Sequence, residues 1–236
     1  MLFAVVIASG CSSLPKQTFN TEANQNIRQL TLITPPAVDE VDVFMVNHPA
    51  ASLGLIGAAI VAADKTLKTK KYNNAIKANK VNWTNYAQQQ LQQELKKVGY
   101  NVKISAAPPK QKRTQKFLET YADTTADASL DYYFKVAHIA AGPTTKYIPS
   151  ITLQTRLVST KNKSVLYAEQ FESGYSFQQK NPHIAIGQQF KSATDLTSNP
   201  KNSVNALKEG INKIAKMIAQ DLKRNAQGNK NALTQK

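Results

Sequence analysis

One thiol, three imidazoles and two runs of lysine are the groups in this chain that could carry chemistry. Cys11 is the single cysteine, so no disulfide can form within the chain. It follows the apolar run Leu2–Ile7 and the small residues Ala8-Ser9-Gly10, and Ser12-Ser13 follow it. His48, His138 and His183 lie far apart with no ligand spacing, which places each as a structural or surface residue rather than a metal ligand. The acids show no pairing that would serve as an acid/base couple. GxxxxGKS/T, GxGxxG, GxSxG and HExxH are all absent, so no phosphate loop, dinucleotide turn, nucleophile elbow or zinc helix is written in the sequence. A Ser/His/Asp grouping assembled only by the fold stays open at this point. From these residues no catalytic site, no cofactor and no metal are expected.

The lysines are unevenly placed. Lys65, Lys68, Lys70, Lys71, Lys77 and Lys80 fall in one acid-free segment, and Lys110, Lys112, Arg113 and Lys116 in another. The whole chain carries a formal charge of +15. A solvated face that keeps the protein soluble is the first reading of such runs. The sharper reading makes Lys65–Lys80 a contact for an anionic surface. Tyr132, Tyr133 and Tyr147 stand near cations but alternate as strand residues do, so base stacking and a nucleic-acid partner are not expected.

The elements that would position these groups follow from periodicity. With 236 residues and 42% hydrophobic content, the chain can bury one core. Leu30–Ile33 reads as a short strand. Val41–Val46 is a stronger one, apolar on both faces and suited to the interior of a sheet. Ala50–Lys71 reads as a helix whose first half, Ala51–Ala63, is apolar and rich in Gly and Ala. Thirteen residues rise ~20 Å as a helix against a hydrocarbon core of ~30 Å, too short to span. A buried core helix is expected there, with an oligomer contact or an element inserting on assembly as the alternatives. Asn82–Val98 is a helix with Asn82 as cap and Gly99 as stop, followed by a strand at Tyr100–Ile104. Ser105–Asp127 is the least structured interior part, with a short helix at Thr114–Tyr121. Leu130–Ala140, Ser150–Val158 and Ser164–Ser173 alternate with period two, as half-buried antiparallel strands do, and Ser159–Lys163 joins the last two. Ser203–Arg224 carries the stripe Val204, Leu207, Ile211, Ile214, Ile218 and Leu222 of a closing helix.

Ala8-Ser9-Gly10-Cys11 resembles the lipobox of bacterial lipoproteins, with Ala8 where such boxes usually have Leu. What the resemblance implies is lipidation of Cys11. Residues 1–10 would be a signal peptide whose charged start lies upstream of a clipped beginning. Cys11 and residues to 29 would be a lipid-bearing tether. Ser12, where an Asp would retain the protein at the inner membrane, implies the outer membrane. The hairpin from Leu153 to Tyr167, with Arg156-Leu157-Val158, is similar to a strand–turn–strand unit of periplasmic lipoproteins. The curli-secretion lipoprotein, the penicillin-binding-protein activators and a neisserial-type group are the families concerned. Ser159 and Asn162-Lys163 depart from their Asp and Gly turn. Together with the element order, this resemblance implies an anticodon-binding-like α/β fold: a two-layer sandwich with a mixed sheet of about five strands and two to three helices on one face. The single domain would cover residues 30–224, with a basic insertion near 105–127 and a disordered tail at 225–236. The role the resemblance implies is that of a non-enzymatic scaffold or assembly factor at the periplasmic face of the outer membrane. Its partners would be that membrane through the lipid, and envelope proteins or further copies of the chain. A cell-wall or anionic-ligand binding module is the alternative, and an envelope hydrolase the weaker one.

Overall fold

The computed structural model describes residues 14–106, 117–121, 125–177 and 182–223. Among them run seven strands: β1 (Gln29–Leu32), β2 (Asp42–Met45), β3 (Asn101–Ile104), β4 (Ala128–Ala140), β5 (Ile148–Ser159), β6 (Val165–Ser173) and β7 (His183–Ile184). The antiparallel meander β4–β5–β6 is the centre. Asp131 stands opposite Arg156 and Arg156 opposite Ala168 across the three strands. β1 and β2 both lie parallel to β4 on its free side. β1 takes the first part of that edge, and β2 takes the last part from Ala137 to Ala140. β3 extends β1, and β7 extends β6.

Period-two alternation decides which face is covered. Leu130, Tyr132, Phe134 and Val136 of β4 join Ile151, Leu153, Leu157, Tyr167 and Phe171 in one buried cluster with the helices. The turn from Ser159 to Ser164 closes with a 2.9 Å backbone hydrogen bond. Lys163 there holds a left-handed φ of 58°, the conformation for which a glycine carries no Cβ penalty.

The helices are α1 (Gly54–Ile76), α2 (Trp83–Lys97), α3 (Ala193–Ser198) and α4 (Pro200–Asp221). Asn82 caps α2 by accepting a 2.9 Å hydrogen bond from the Asn85 amide, satisfying one of its orphan N–H groups. Gly99 stops the helix at φ 96°. Val204, Leu207, Ile211, Ile214 and Ile218 of α4 are buried against the sheet. Gly210 permits a close approach there: a Cβ at this position would stand 2.6 Å from the Ser173 hydroxyl. On the opposite face, residues 117–121 lie over the sheet. The Leu118 amide and the Tyr121 hydroxyl donate to the Asp131 carboxylate, and Arg156 donates to Tyr121 and to the Leu118 carbonyl. The architecture is the expected α/β two-layer sandwich.

Several local expectations need correction. Among the described residues the sheet has seven strands where about five were expected, and four α-helices are present, α3 having been missed because it is only six residues long. The apolar strand β2 is not interior: it pairs with β4 alone. Its second edge is met by side chains of α1 instead of by a strand. The Thr69 hydroxyl accepts from the Val43 amide at 3.0 Å, and Asn73 both accepts from the Val41 amide and donates to its carbonyl, each at 3.0 Å. That cover removes the exposed hydrogen-bonding edge and makes the strand look interior in sequence. Residues 117–121 are not helical, because their polar groups go to Asp131 and Arg156. The segment expected as a loose tether is docked in its described part: Gln17 bridges Ala168, Lys16 pairs with Glu169 at 2.6 Å, and Phe19 is buried in the core. Cys11, residues 1–10 expected as a signal peptide, residues 225–236 expected as a disordered tail, and Lys110, Lys112, Arg113 and Lys116 lie outside the described residues.

Candidate functional site: an exposed apolar hairpin

Past β2 the chain stays beside β4, through hydrogen bonds from the Val46 and Asn47 amides to the Ala140 and Ala141 carbonyls. It then leaves the sheet. The His48 ring nitrogen Nδ1 accepts from the Ala50 amide at 3.1 Å and starts a 3-10 turn, Pro49–Leu53. Gly54, at φ 59°, reverses the direction, and α1 comes back alongside. Gly57 is required by that return: a Cβ there would stand 1.8 Å from the Ala50 carbonyl oxygen. The small residue therefore serves the hairpin's own closure. It does not serve packing on the sheet.

The base of the hairpin is polar. His48 Nε2 lies 3.6 Å from Asp64, and Lys68 lies 2.6 Å from the same carboxylate. Burial alone would lower the Lys68 ammonium, but hydrogen bonds to Asp64 and Tyr147 outweigh it and hold its pKa above the usual lysine value. Lys65 pairs with Asp42 at 3.2 Å and sits 5.1 Å from the Phe44 ring centre. Between this base and the apex, Pro49–Ala63, there is no charged residue.

That uncharged projection is open to solvent. Leu55 is 92% exposed, Ile56 74%, Leu53 59% and Ile60 44%. Ala58, Ala59, Ala62 and Ala63 are exposed as well. The expected buried core helix is thus overturned for this half of α1. Only Gly57 is buried before Thr69, because the sheet ends near Ala140 and the hairpin continues beyond it. By length and composition alone, the helical run Pro49–Asn79 is apolar enough to cross a membrane. Its second half cannot leave the domain, since Tyr72 and Ile76 are buried and Thr69 and Asn73 hold β2. About ten residues, Gly54–Ala63, remain free to enter a bilayer, ~15 Å of helix or half a hydrocarbon core.

The six lysines of the acid-free segment are not gathered on one face. At 100° per residue they distribute around α1 and its end. Lys65 and Lys68 are neutralised by Asp42 and Asp64, acids that lie outside the segment. Lys70, Lys71, Lys77 and Lys80 are exposed.

The grouping that most resembles a catalytic site is sealed. His138 Nε2 meets the Tyr72 hydroxyl at 3.0 Å, and that hydroxyl meets Ser203 Oγ at 2.9 Å. His138 and Ser203 have no accessible surface, and Tyr72 has 1%, so no substrate can reach them. Burial pushes the His138 imidazole down to about 3, which keeps it neutral. Among the described residues no cluster of His, Cys, Asp or Glu could hold a metal ion. The residues that sequence reasoning missed are Leu53, Leu55, Ile56 and Ile60. Their signal was apolarity all round the helix, with no polar stripe, which fits deep burial and lipid exposure equally well.

No family model matches the chain, and no curated protein does. Solved structures with a distant likeness include a Xanthomonas campestris protein of the DUF330 family, 10% identical, with TM-score 0.43 and coverage of 88% of this chain and 85% of that one. A neuraminyllactose-binding hemagglutinin homolog from Helicobacter pylori is 12% identical, with TM-score 0.39 and 88% of each chain covered. The PelC dodecamer from Paraburkholderia phytofirmans is 10% identical, with TM-score 0.34 and coverage of 87% and 97%. Likenesses this distant assign no residue, ligand or partner to this chain.

Proposed function

We propose that the chain is a non-enzymatic lipoprotein of the cell envelope, held by lipid on Cys11 at the periplasmic face of the outer membrane and acting as a scaffold or assembly factor. The observation that carries this reading is the hairpin Pro49–Ala63. It holds four of the large apolar side chains left exposed, Leu53, Leu55, Ile56 and Ile60, in one projection. A contiguous exposed apolar feature marks a contact site for protein or membrane. The Ser–Tyr–His grouping, closed to solvent, supports contact over catalysis. The lipobox-like Ala8-Ser9-Gly10-Cys11 supports the anchor. Two attachments are needed for stable membrane residence, which a diacylglyceryl group plus an amide-linked chain would supply. The test is fractionation of cells carrying Cys11→Ser. Release into the soluble fraction once the membranes are washed at high salt is expected, and retention with the washed outer membranes would overturn the anchor.

A cell-wall or anionic-ligand module is the second reading, favoured by the exposure of Lys70, Lys71, Lys77 and Lys80. Charge reversal at Lys70, Lys71 and Lys77 together should then abolish pull-down by purified cell wall. Unchanged pull-down would leave these lysines as solvated surface.

A further inference from the structure

We infer that the hairpin Pro49–Ala63 enters the interfacial region of a bilayer containing acidic phospholipid and fixes the orientation of the domain on the membrane. The inference rests on the reading of this hairpin as the contact element, and it names what is contacted.

Three observations choose a bilayer over a protein groove. The first is that the exposed apolar surface wraps the helix. Leu55, Ile56, Ala58, Ala59, Ile60, Ala62 and Ala63 are consecutive apart from Gly57 and Val61, and all are exposed. A single protein groove covers one stripe, whereas a helix apolar all round is suited to a core or to lipid.

The second is direction. Gln17 pairs antiparallel with Ala168, while β6 and β4 both run toward the hairpin end. Read back from Gln17, the chain therefore heads to the hairpin's end of the sheet. Ala168 is level with Arg156 and Asp131, and Ala140 lies nine residues further along β4, ~30 Å at ~3.3 Å per residue. From Gln17, the six residues to Cys11 reach at most ~20 Å. A membrane holding Cys11 thus lies no further out than the hairpin, and the hairpin must enter it or the domain must tilt away.

The third is charge. The loops at the hairpin's base meet at the backbone bridge between Tyr147 and Phe190, and each presents an exposed lysine beside that bridge, Lys146 and Lys191. Lysines at the depth of the headgroups suit acidic lipid. The hairpin cannot span the bilayer, because only Gly54–Ala63, ~15 Å of helix, stands clear of the domain.

The test uses the full chain with Cys11→Ser, so that no lipid anchor contributes. It is mixed with vesicles of phosphatidylglycerol and phosphatidylethanolamine, and separately with phosphatidylcholine vesicles, and sedimented. Pelleting with the acidic vesicles is expected, weakening as salt rises. Adding Leu55→Asp and Ile56→Asp should reduce it at least about tenfold, two apolar side chains having been replaced by charges that interfacial insertion must exclude. Both positions are exposed, so an unchanged thermal melt verifies the fold. Absence of pelleting by the Cys11→Ser chain, or equal pelleting by the aspartate variant, overturns the inference. A discrete oligomer that the aspartate variant dissolves, without vesicle binding by either form, overturns it in favour of contact between copies. Retention of Cys11→Ser on salt-washed cell membranes that is lost on adding Leu55→Asp and Ile56→Asp would instead sink the anchor reading and leave the hairpin's role standing.

Discussion

The two halves of α1 invert the usual relation between composition and burial. Gly54–Ala63 is almost wholly apolar and exposed. Asp64–Ile76 is rich in Lys, Thr and Asn, and it is the half the domain holds. The apolar half continues past the end of the sheet and has nothing to lie against. The polar half passes over β2, whose free edge offers amides and a carbonyl, and Thr69 and Asn73 answer them. Burial here follows where the sheet ends, and hydrogen-bond demand outweighs hydropathy in deciding which residues are held.

The strongest way to break this comparison is Tyr72→Ala. Tyr72 is 1% exposed and packs edge-on against His138 at 4.9 Å. Its loss should cost ~3–5 kcal/mol, as large-to-small core changes of aromatics do, read from denaturant unfolding. A cost near zero would mean the polar half is no better held than the apolar one.

Acidification probes the same buried half. The His138 imidazole, held neutral with its pKa at about 3, contributes stability that is fully present above the ordinary value of ~6.5 and is lost as pH falls from there toward 3. The unfolded chain takes up a proton in that window and the folded chain does not. The slope should approach ~1.4 kcal/mol per pH unit. The side chains in contact with His138 are Tyr72 and Phe190, neither of which titrates in that range. His138→Gln should lose this component of the acid slope, whatever its effect at neutral pH.

Asn73→Ala sharpens the account of β2. It strips the Val41 amide and carbonyl of their partners and should cost ~1–3 kcal/mol. Hydrogen exchange at the Val41 and Val43 amides should accelerate more than in β5. If the two regions stay equally protected, side-chain cover of the edge is not what holds β2.

Within the hairpin the effects should be smaller and local. Gly57→Leu collides with the Ala50 carbonyl and should splay the turn Pro49–Leu53. Limited proteolysis should then cut between Ala50 and Leu53, while global stability shifts by less than ~1 kcal/mol, because the hairpin contributes little to the core. Leu55→Ala should change stability by no more than ~0.5 kcal/mol. A loss comparable to a core leucine would mean the tip is covered in solution by something the isolated fold lacks.

Much of the fold could be read from residue order because its causes are local. Period-two alternation marked β4, β5 and β6. Asn82 and Gly99 bracketed α2, and the apolar stripe from Val204 marked α4, because caps and periodicity act within a few residues. A lone cysteine behind small residues is likewise a local pattern, and so is the lack of a spaced ligand set. The number of strands was not legible: β7 is two residues long and exists only because β6 is there to pair with it. Nor was the edge position of β2, whose apolarity reflects cover by α1 rather than by strands. The apolar half of α1 carried no mark separating core from surface, since apolarity all round satisfies both. Where the sheet stops relative to that helix depends on the register of β2 against β4, a relation between residues 42–45 and 137–140 that no short window of sequence contains. Composition determined that the hairpin would be apolar and uncharged; only the tertiary structure decided that it would stand in the open.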